Sequence, residues 1–196
     1  MLLVVSDSVG FCKNLHSQLL SRGLFSLFAT YENMADIVES ETDLIDTVII
    51  DGCHSSKGVR AVQERSISRL PHADIRLLTV DSQLNDLVAS LSVGRDEYAS
   101  FRGLRVSPSD TEARLLGYPL RLTKSEHKIL LLLLSDPGRP FSADLILRVA
   151  FPFSTDLSKN QLAVHICNIN KKARQITGRR LIVNPHKSGY LLNPHP

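Results

Sequence analysis

The sequence predicts two domains of different class: an α/β amino-terminal domain built on a parallel sheet, residues 1–101, and an α+β carboxyl-terminal domain, residues 102–196. Three observations carry this. Short apolar runs alternate with amphipathic stretches through the first hundred residues. Beyond them the pattern changes to short alternating runs, three helical stretches and a closing hairpin. Charge divides at the same place: residues 1–100 hold 8 Lys/Arg against 14 Asp/Glu, a net −6, and residues 101–196 hold 15 against 6, a net +9, which together make the chain's +3. An acidic half joined to a basic half directs the basic half towards a polyanion.

Composition narrows the class further. Hydrophobic residues make up 43% of the 196, an ordinary globular core. No stretch reaches the roughly 18 apolar residues of a membrane span; the run Ile129 to Leu134 is far too short. The start, MLLVV, has no basic flank and too little apolar length for a secretion signal. Cys12, Cys53 and Cys167 lie far apart, with neither disulfide nor metal spacing, which suits a reducing cytosol. The expectation is a cytoplasmic protein without a membrane partner.

In the first half Leu2–Val5 is a buried strand, and Ser8 caps a helix carrying Phe11, Leu15, Leu19 and Leu20 that ends near Gly23. Ser26–Ala29 is the second strand, and a helix follows from Glu32 to Glu41. In DTVIIDGC (46–53), Thr47–Ile50 form a third strand that delivers Asp51 to its carboxyl end. A polar helix over 58–70, a strand over 75–80, a helix from Gln83 to Leu91 and a fifth strand over 97–100 complete the alternation. Such alternation gives a parallel sheet with helices on both faces, whose reactive edge lies beyond the strand carboxyl ends. Asp7, Asp51 and Thr79 fall on that edge. His16, His54 and His72 show no ligand spacing and read as surface residues.

In the second half residues 104–122 read as a small antiparallel sheet broken by Ser-Pro-Ser-Asp (107–110) and Gly117-Tyr-Pro. Thr123 with Glu126 three residues on is a capping box, and Ile129, Leu130, Leu133 and Leu134 give the helix its buried stripe before Pro137-Gly138 ends it. Ser142 caps a short helix, Ala143–Ala150, and Ser158 caps a third that runs from Lys159 towards Ile176. In that helix Leu162, Ile166, Ile169 and Ala173 recur at helical spacing and face the core; Gln161, Val164, His165, Asn168 and Lys172 take the other side. LIVNPHKSGYLL (181–192) is a β-hairpin with Tyr190 in its core.

The first half resembles the receiver domain of two-component response regulators, a flavodoxin-like sheet. Asp51 matches that family's phosphoacceptor and Thr79 its switch hydroxyl; GRDEYASF (94–101) is similar to the run before its fifth strand. The departures are specific. The acid pair that holds Mg²⁺ reads Ser6-Asp7, and Ser100 is followed by Phe101 where the family has Lys-Pro. Phosphoryl transfer relies on cations to neutralise charge on the equatorial oxygens, and one acid and the lysine are missing. Asp7 and Asp51 remain weak Mg²⁺ candidates, and no cofactor is expected. The stretch between Tyr98 and Leu120 has no room for the family's last helix, so part of one sheet face is expected to need cover from the second domain or another subunit.

The second half resembles the winged helix-turn-helix output domain of the OmpR/PhoB family over roughly 102–193, in LTKSEHKILLLLL, PGRPFS, VHICNINKKAR and SGYLL together. The chain as a whole is identified as an atypical OmpR/PhoB-type response regulator with a degenerate receiver. The family's base-contacting helix positions match Val164, His165 and Asn168. Asn and Gln amides can pair with adenine and a valine methyl can meet thymine's, so Gln161 and Asn160 join that set. Lys159, Lys171, Lys172, Arg174, Arg179 and Arg180 are the phosphate candidates. In the wing His186 matches the residue relatives insert into the minor groove, and Lys187 and Ser188 can reach phosphate.

The resemblance implies a non-enzymatic bacterial transcription regulator, bound to double-stranded DNA as a homodimer and in contact with RNA polymerase. In one reading it works without aspartate phosphorylation, the receiver-like half serving dimerisation or signal sensing. In the alternative it is a conventional response regulator phosphorylated at Asp51. A third, a protein adaptor that has lost DNA, sits badly with the +9 carboxyl-terminal half.

Overall fold

A computed structural model describes residues 1–54, 58–79, 83–92, 98–154, 157–185 and 188–196. They form two units, Met1–Gly94 and Arg95–Pro196.

In the first unit strands β1 (Leu2–Val5), β2 (Ser26–Ala29), β3 (Thr47–Asp51) and β4 (Asp74–Leu78) make a parallel sheet in the order β2-β1-β3-β4. Every residue of β1 and β3 is buried, because central strands of a parallel sheet are covered on both faces. Helices α1 (Val9–Leu20), α2 (Met34–Glu41), α3 (Val59–Arg69) and α4 (Gln83–Leu91) provide that cover, with a 3₁₀ turn over Thr42–Leu44. Ser8 caps α1 as predicted, its Oγ accepting from the Phe11 N–H at 3.3 Å. Right-handed crossovers in opposite directions from β1 and β3 place α1 on one face and α3 on the other. Ser66 of α3 donates to the Met34 sulfur of α2 at 3.7 Å, so these two share a face.

One expectation fails here. The fifth strand does not join the parallel sheet. Residue 97 lies outside the described set, and β5 (Ala99–Phe101) pairs antiparallel with β6 (Leu104–Val106) in the second unit. The reason is local. Only Arg102 and Gly103 separate the two strands, both with positive φ (46° and 82°), the geometry a two-residue hairpin requires. The division between units accordingly falls earlier than residue 102. Helix α4 packs beside α1 and buries Leu84, Leu87 and Val88, while Ile75, Arg76 and Leu77 of the edge strand β4 stay half-buried. Val80, the predicted end of the fourth strand, lies outside the described residues; β4 ends at Leu78.

In the second unit β5, β6, β7 (Ala113–Leu115) and β8 (Tyr118–Pro119) form an antiparallel sheet in chain order. Leu104, Val106, Ala113 and Leu115 point inward while Arg105 and Arg114 point out, the two-residue period of a half-buried sheet. Helices α5 (Lys124–Ser135), α6 (Ala143–Ala150) and α7 (Lys159–Thr177) follow, then the short hairpin β9 (Ile182–Val183) and β10 (Leu191–Leu192). All six residues from Ile129 to Leu134 are buried, because α5 touches β5, β6, α6, α7 and β10 on its different sides. The Thr123–Glu126 capping box is formed in both directions. Phe141 and Tyr190 exchange two backbone hydrogen bonds of 2.8 Å, tying the hairpin to the start of α6. Gly189 permits this contact: its φ is +133°, and a Cβ there would lie 2.6 Å from the Phe141 carbonyl oxygen. Sheet, three helices and wing make a winged helix-turn-helix.

Candidate nucleic-acid interface and carboxylate pocket

Helix α7 is set by its two ends. Ser158 Oγ accepts from the Gln161 N–H at 3.3 Å, while Gln161 Oε1 accepts from the Ser158 N–H at 2.7 Å, a second capping box. Gly178, with φ +73°, closes the carboxyl end. Leu162, Ile166, Ile169 and Ala173 are buried as the spacing predicts. At 100° per residue the opposite stripe is Asn160, Val164, Cys167, Asn168, Lys171 and Arg174, all exposed. Val164 is 58% exposed, a large apolar side chain held in water among amides and cations. Such a helix face can enter a major groove, with the methyl and amide groups towards base edges and the cations towards phosphate.

Several predicted contacts have other duties. Lys172 donates to Glu126 Oε2 at 2.6 Å, and Glu126 is 1% exposed. Burial acts most strongly on that carboxyl and pushes its pKa up; the Lys172 hydrogen bond, the Thr123 N–H and the Lys172 charge outweigh it and hold the pKa below its ordinary value. Lys172 is therefore an internal brace on the flank of α7. His165 is half-buried on the same flank. Gln161 gives its carbonyl to the cap, so this conformer lacks the acceptor that bidentate pairing with adenine needs. Lys159 pairs with Asp144 of α6 at 2.8 Å, both side chains well exposed, an interaction of little energetic weight. Ser188 Oγ donates to the Pro185 carbonyl at 2.7 Å and closes the wing turn. Arg179 reaches the His195 carbonyl at 3.5 Å, and Arg180 is exposed. His186 and Lys187 lie outside the described residues.

One positioning residue was missed. Asn170 Oδ1 accepts from the Leu181 and Ile182 N–H groups at 2.9 and 2.8 Å, and its Nδ2 donates to the Ile182 carbonyl at 2.9 Å. It latches the first wing strand to α7. A helical Asn so near the core flank is a weak sequence signal, because its partners are backbone atoms that no residue type announces.

The first unit's edge carries the second cluster. Asp51 is fully buried, and donors surround its carboxylate. Ser6 Oγ donates to Oδ2 at 2.6 Å; the Cys53 and His54 N–H groups donate to Oδ1 at 3.0 and 3.1 Å. The His54 Nδ1 lies 3.0 Å from Oδ1 and 3.1 Å from Oδ2. Burial is the largest influence and pushes the Asp51 pKa up, but the hydrogen bonds of Ser6 and His54 prevail and hold it below its usual value. Tyr31 donates its hydroxyl to the Asp51 carbonyl, and its N–H donates to Asp7 Oδ1 at 3.2 Å. Burial first, then the Asp51 and Asp7 charges, push the Tyr31 phenol up to about 12.

Asp7 and Thr79 are exposed, and the Thr79 hydroxyl donates to Gln83 Oε1 at 3.4 Å. His54 is exposed as expected but also engages Asp51, whereas His16 is not the surface residue expected: it is buried edge-on to Phe28, 5.7 Å between ring centroids. His72 is exposed, with Nε2 3.1 Å from the Ile45 carbonyl. Among the described residues no group of three or more His, Cys, Asp or Glu could hold a metal ion, and no helix is long and apolar enough to cross a membrane.

Residues 117–192 match the family described as "Transcriptional regulatory protein, C terminal". Among solved structures, the chain is similar to the response regulator DrrB of Thermotoga maritima, an OmpR/PhoB homolog, at 18% identity over 98% of both chains and a TM-score of 0.43. It is also similar to the RstA DNA-binding domain of Klebsiella pneumoniae, solved in complex with the RstA box, at 24% identity over 51% of this chain and 100% of that one, TM-score 0.43. A streptococcal redox sensor described as evolved from two-component response regulators matches at 13% identity over 98% of both chains, TM-score 0.45.

Proposed function

We propose that the chain, whose residues 117–192 match the transcriptional regulatory protein C-terminal family, is a sequence-specific, DNA-binding transcription regulator of the OmpR/PhoB response-regulator type that works without phosphorylation of Asp51. The observation that carries the DNA half is the exposed stripe of α7, Asn160, Val164, Asn168, Lys171 and Arg174, in a unit of net positive charge. Val164 and Asn168 read base edges; Lys171 and Arg174 neutralise phosphate. The phosphorylation-independent half is supported by the burial of Asp51 and the saturation of both its oxygens by protein donors.

The protein acts in the bacterial cytoplasm as a homodimer, without a cofactor and without an enzymatic reaction of its own. Its amino-terminal unit serves dimerisation or senses a partner or small ligand. Bound to its promoter it meets RNA polymerase.

Selection of fragments from a random DNA pool by the full-length chain, followed by gel shift, tests the reading. The selected site binds several orders of magnitude tighter than random DNA. Val164→Ala weakens discrimination at a thymine position by about 1 kcal/mol, and Lys171→Ala lowers the slope of log affinity against log salt by about 0.9. Binding with no sequence preference, or a salt slope indifferent to Lys171, overturns the DNA reading. An increase in affinity after treatment with acetyl phosphate and Mg²⁺ overturns independence from phosphorylation.

A further inference from the structure

The receiver resemblance implies a Mg²⁺ ion at the carboxyl edge of the sheet. The residues present do not fit it. Mg²⁺ needs hard oxygen ligands in octahedral array, and the groups that crowd Asp51 are a serine hydroxyl, two backbone N–H groups and an imidazole, donors at the places where a cation would sit. Two carboxylate oxygens offer about four acceptor directions. Ser6, Cys53, His54 N–H and the His54 ring use them all.

We propose that His54 is the built-in counter-group of Asp51, and that with Ser6 it seals the carboxylate pocket against divalent cations and phosphoryl donors. Each part of the arrangement serves this. The ring nitrogen lies nearly equidistant from both carboxylate oxygens, the position of a bifurcated donor. The imidazole also packs against Phe11 of α1, 5.2 Å between centroids and tilted by 41°. An acid at position 6 would place a second carboxylate where the Ser6 hydroxyl now lies, 2.6 Å from Asp51, and two such charges need a cation or a proton between them. Ser6 removes that need by donating a hydrogen bond. The second acid of the edge, Asp7, is exposed and bonded instead to the Tyr31 N–H. Ser6 and His54 therefore act as one device: where the receiver pattern has a cation-requiring pair, this chain has a hydrogen-bonded unit that locks the ends of β1 and β3 together.

The inference rests on the phosphorylation-independent reading and names the residues responsible. Its test uses the full-length protein. Calorimetric titration with Mg²⁺ gives no binding heat for the wild type in the millimolar range, and acetyl phosphate with Mg²⁺ adds no phosphoryl mass. The double variant Ser6→Asp/His54→Ala acquires Mg²⁺ binding and a melting temperature that rises with Mg²⁺. Long-range nitrogen NMR of wild-type His54 shows a protonated Nδ1 whose resonance is unmoved by Mg²⁺; this measurement decides the matter if the double variant does not fold. Millimolar Mg²⁺ binding by the wild type or a folded double variant indifferent to Mg²⁺ overturns the seal. An unprotonated Nδ1 with no phosphoryl mass gained overturns the role of His54 alone. A gained phosphoryl mass overturns the phosphorylation-independent reading as well, and loss of sequence-specific gel shift bears on the DNA reading only.

Discussion

Lys172 Nζ lies 2.6 Å from Glu126 Oε2 and joins the middle of α7 to the first turn of α5 across 46 residues of chain. Glu126 simultaneously accepts the Thr123 N–H at 2.7 Å, so one buried carboxylate closes a helix cap and anchors the helix proposed above to meet DNA. Breaking a buried pair leaves an uncompensated charge, the costly case; here the Lys172 side chain keeps 31% of its exposure, which softens the loss.

Lys172→Ala should accordingly destabilise the carboxyl-terminal unit by about 1–2 kcal/mol. Urea denaturation of the full-length protein reads this as a lower midpoint at unchanged slope. The same variant, where folded, should keep the wild-type salt dependence of DNA binding, in contrast to Lys171→Ala. Equal stability together with a reduced salt slope would return Lys172 to the phosphate-contacting set.

Acidification should weaken the same unit through His127. This ring is buried on the core side of α5, and its Nε2 donates to the Ser107 carbonyl at 2.8 Å. Burial lowers its pKa from the ordinary 6.5, with the Ser107 carbonyl and Asp110 opposing. The folded protein then binds fewer protons than the unfolded chain once pH drops below that ordinary value. The stability is complete above about pH 6.5 and declines as pH falls towards the folded pKa, by at most about 1.4 kcal/mol per pH unit. His127→Gln, which keeps a donor for Ser107 but does not titrate, should flatten the decline between about pH 6.5 and 5, above the range where Glu126 begins to take up protons. Denaturation midpoints measured across that range check it; an undiminished decline in the variant would assign the effect elsewhere.

What was legible in the sequence follows the range of the interactions. The caps at Ser8, Thr123, Ser142 and Ser158 each involve residues three apart, and all four form as the local pattern requires. The core stripe of α7 was equally local. Ala99–Phe101 was misplaced because its residues suit either sheet, and the choice turns on two positive φ angles at Arg102 and Gly103. The packing of α4 beside α1 depends on the sheet ending at β4, a fact of topology rather than of spacing. In the sites, the exposed Val164 and Asn168 followed from helical phase, which placed Lys172 rather than Lys171 beside them. The engagement of Lys172 by Glu126 and of Ser6 by Asp51 did not, since such pairs lie 46 and 45 residues apart and carry no period. His54 lies only three residues from Asp51, and there the signal was present: an Asp-x-x-His spacing after a buried strand lets the ring turn back on the carboxylate.

Asn170 supplies the last prediction, because its amide makes three hydrogen bonds that no other side chain of similar size can reproduce. The oxygen accepts two wing N–H groups and the nitrogen donates to a carbonyl of the same strand. Asn170→Asp retains both acceptor contacts but sets a carboxylate oxygen against the Ile182 carbonyl, while Asn170→Ala leaves all three wing groups to find water. Each variant should lower stability by about 1–3 kcal/mol, the range for unsatisfied, partly buried polar groups. The distinguishing readout is local: amide hydrogen exchange at Leu181 and Ile182 should quicken more in Asn170→Ala than in Asn170→Asp, while exchange within α5 changes in step with global stability alone. DNA affinity of the folded variants should fall with the loss of a fixed wing, and discrimination at the bases opposite Val164 and Asn168 should persist, since α7 keeps both its caps. Unchanged exchange at Leu181 and Ile182 would show that the wing is held by the Phe141–Tyr190 bridge without the Asn170 latch.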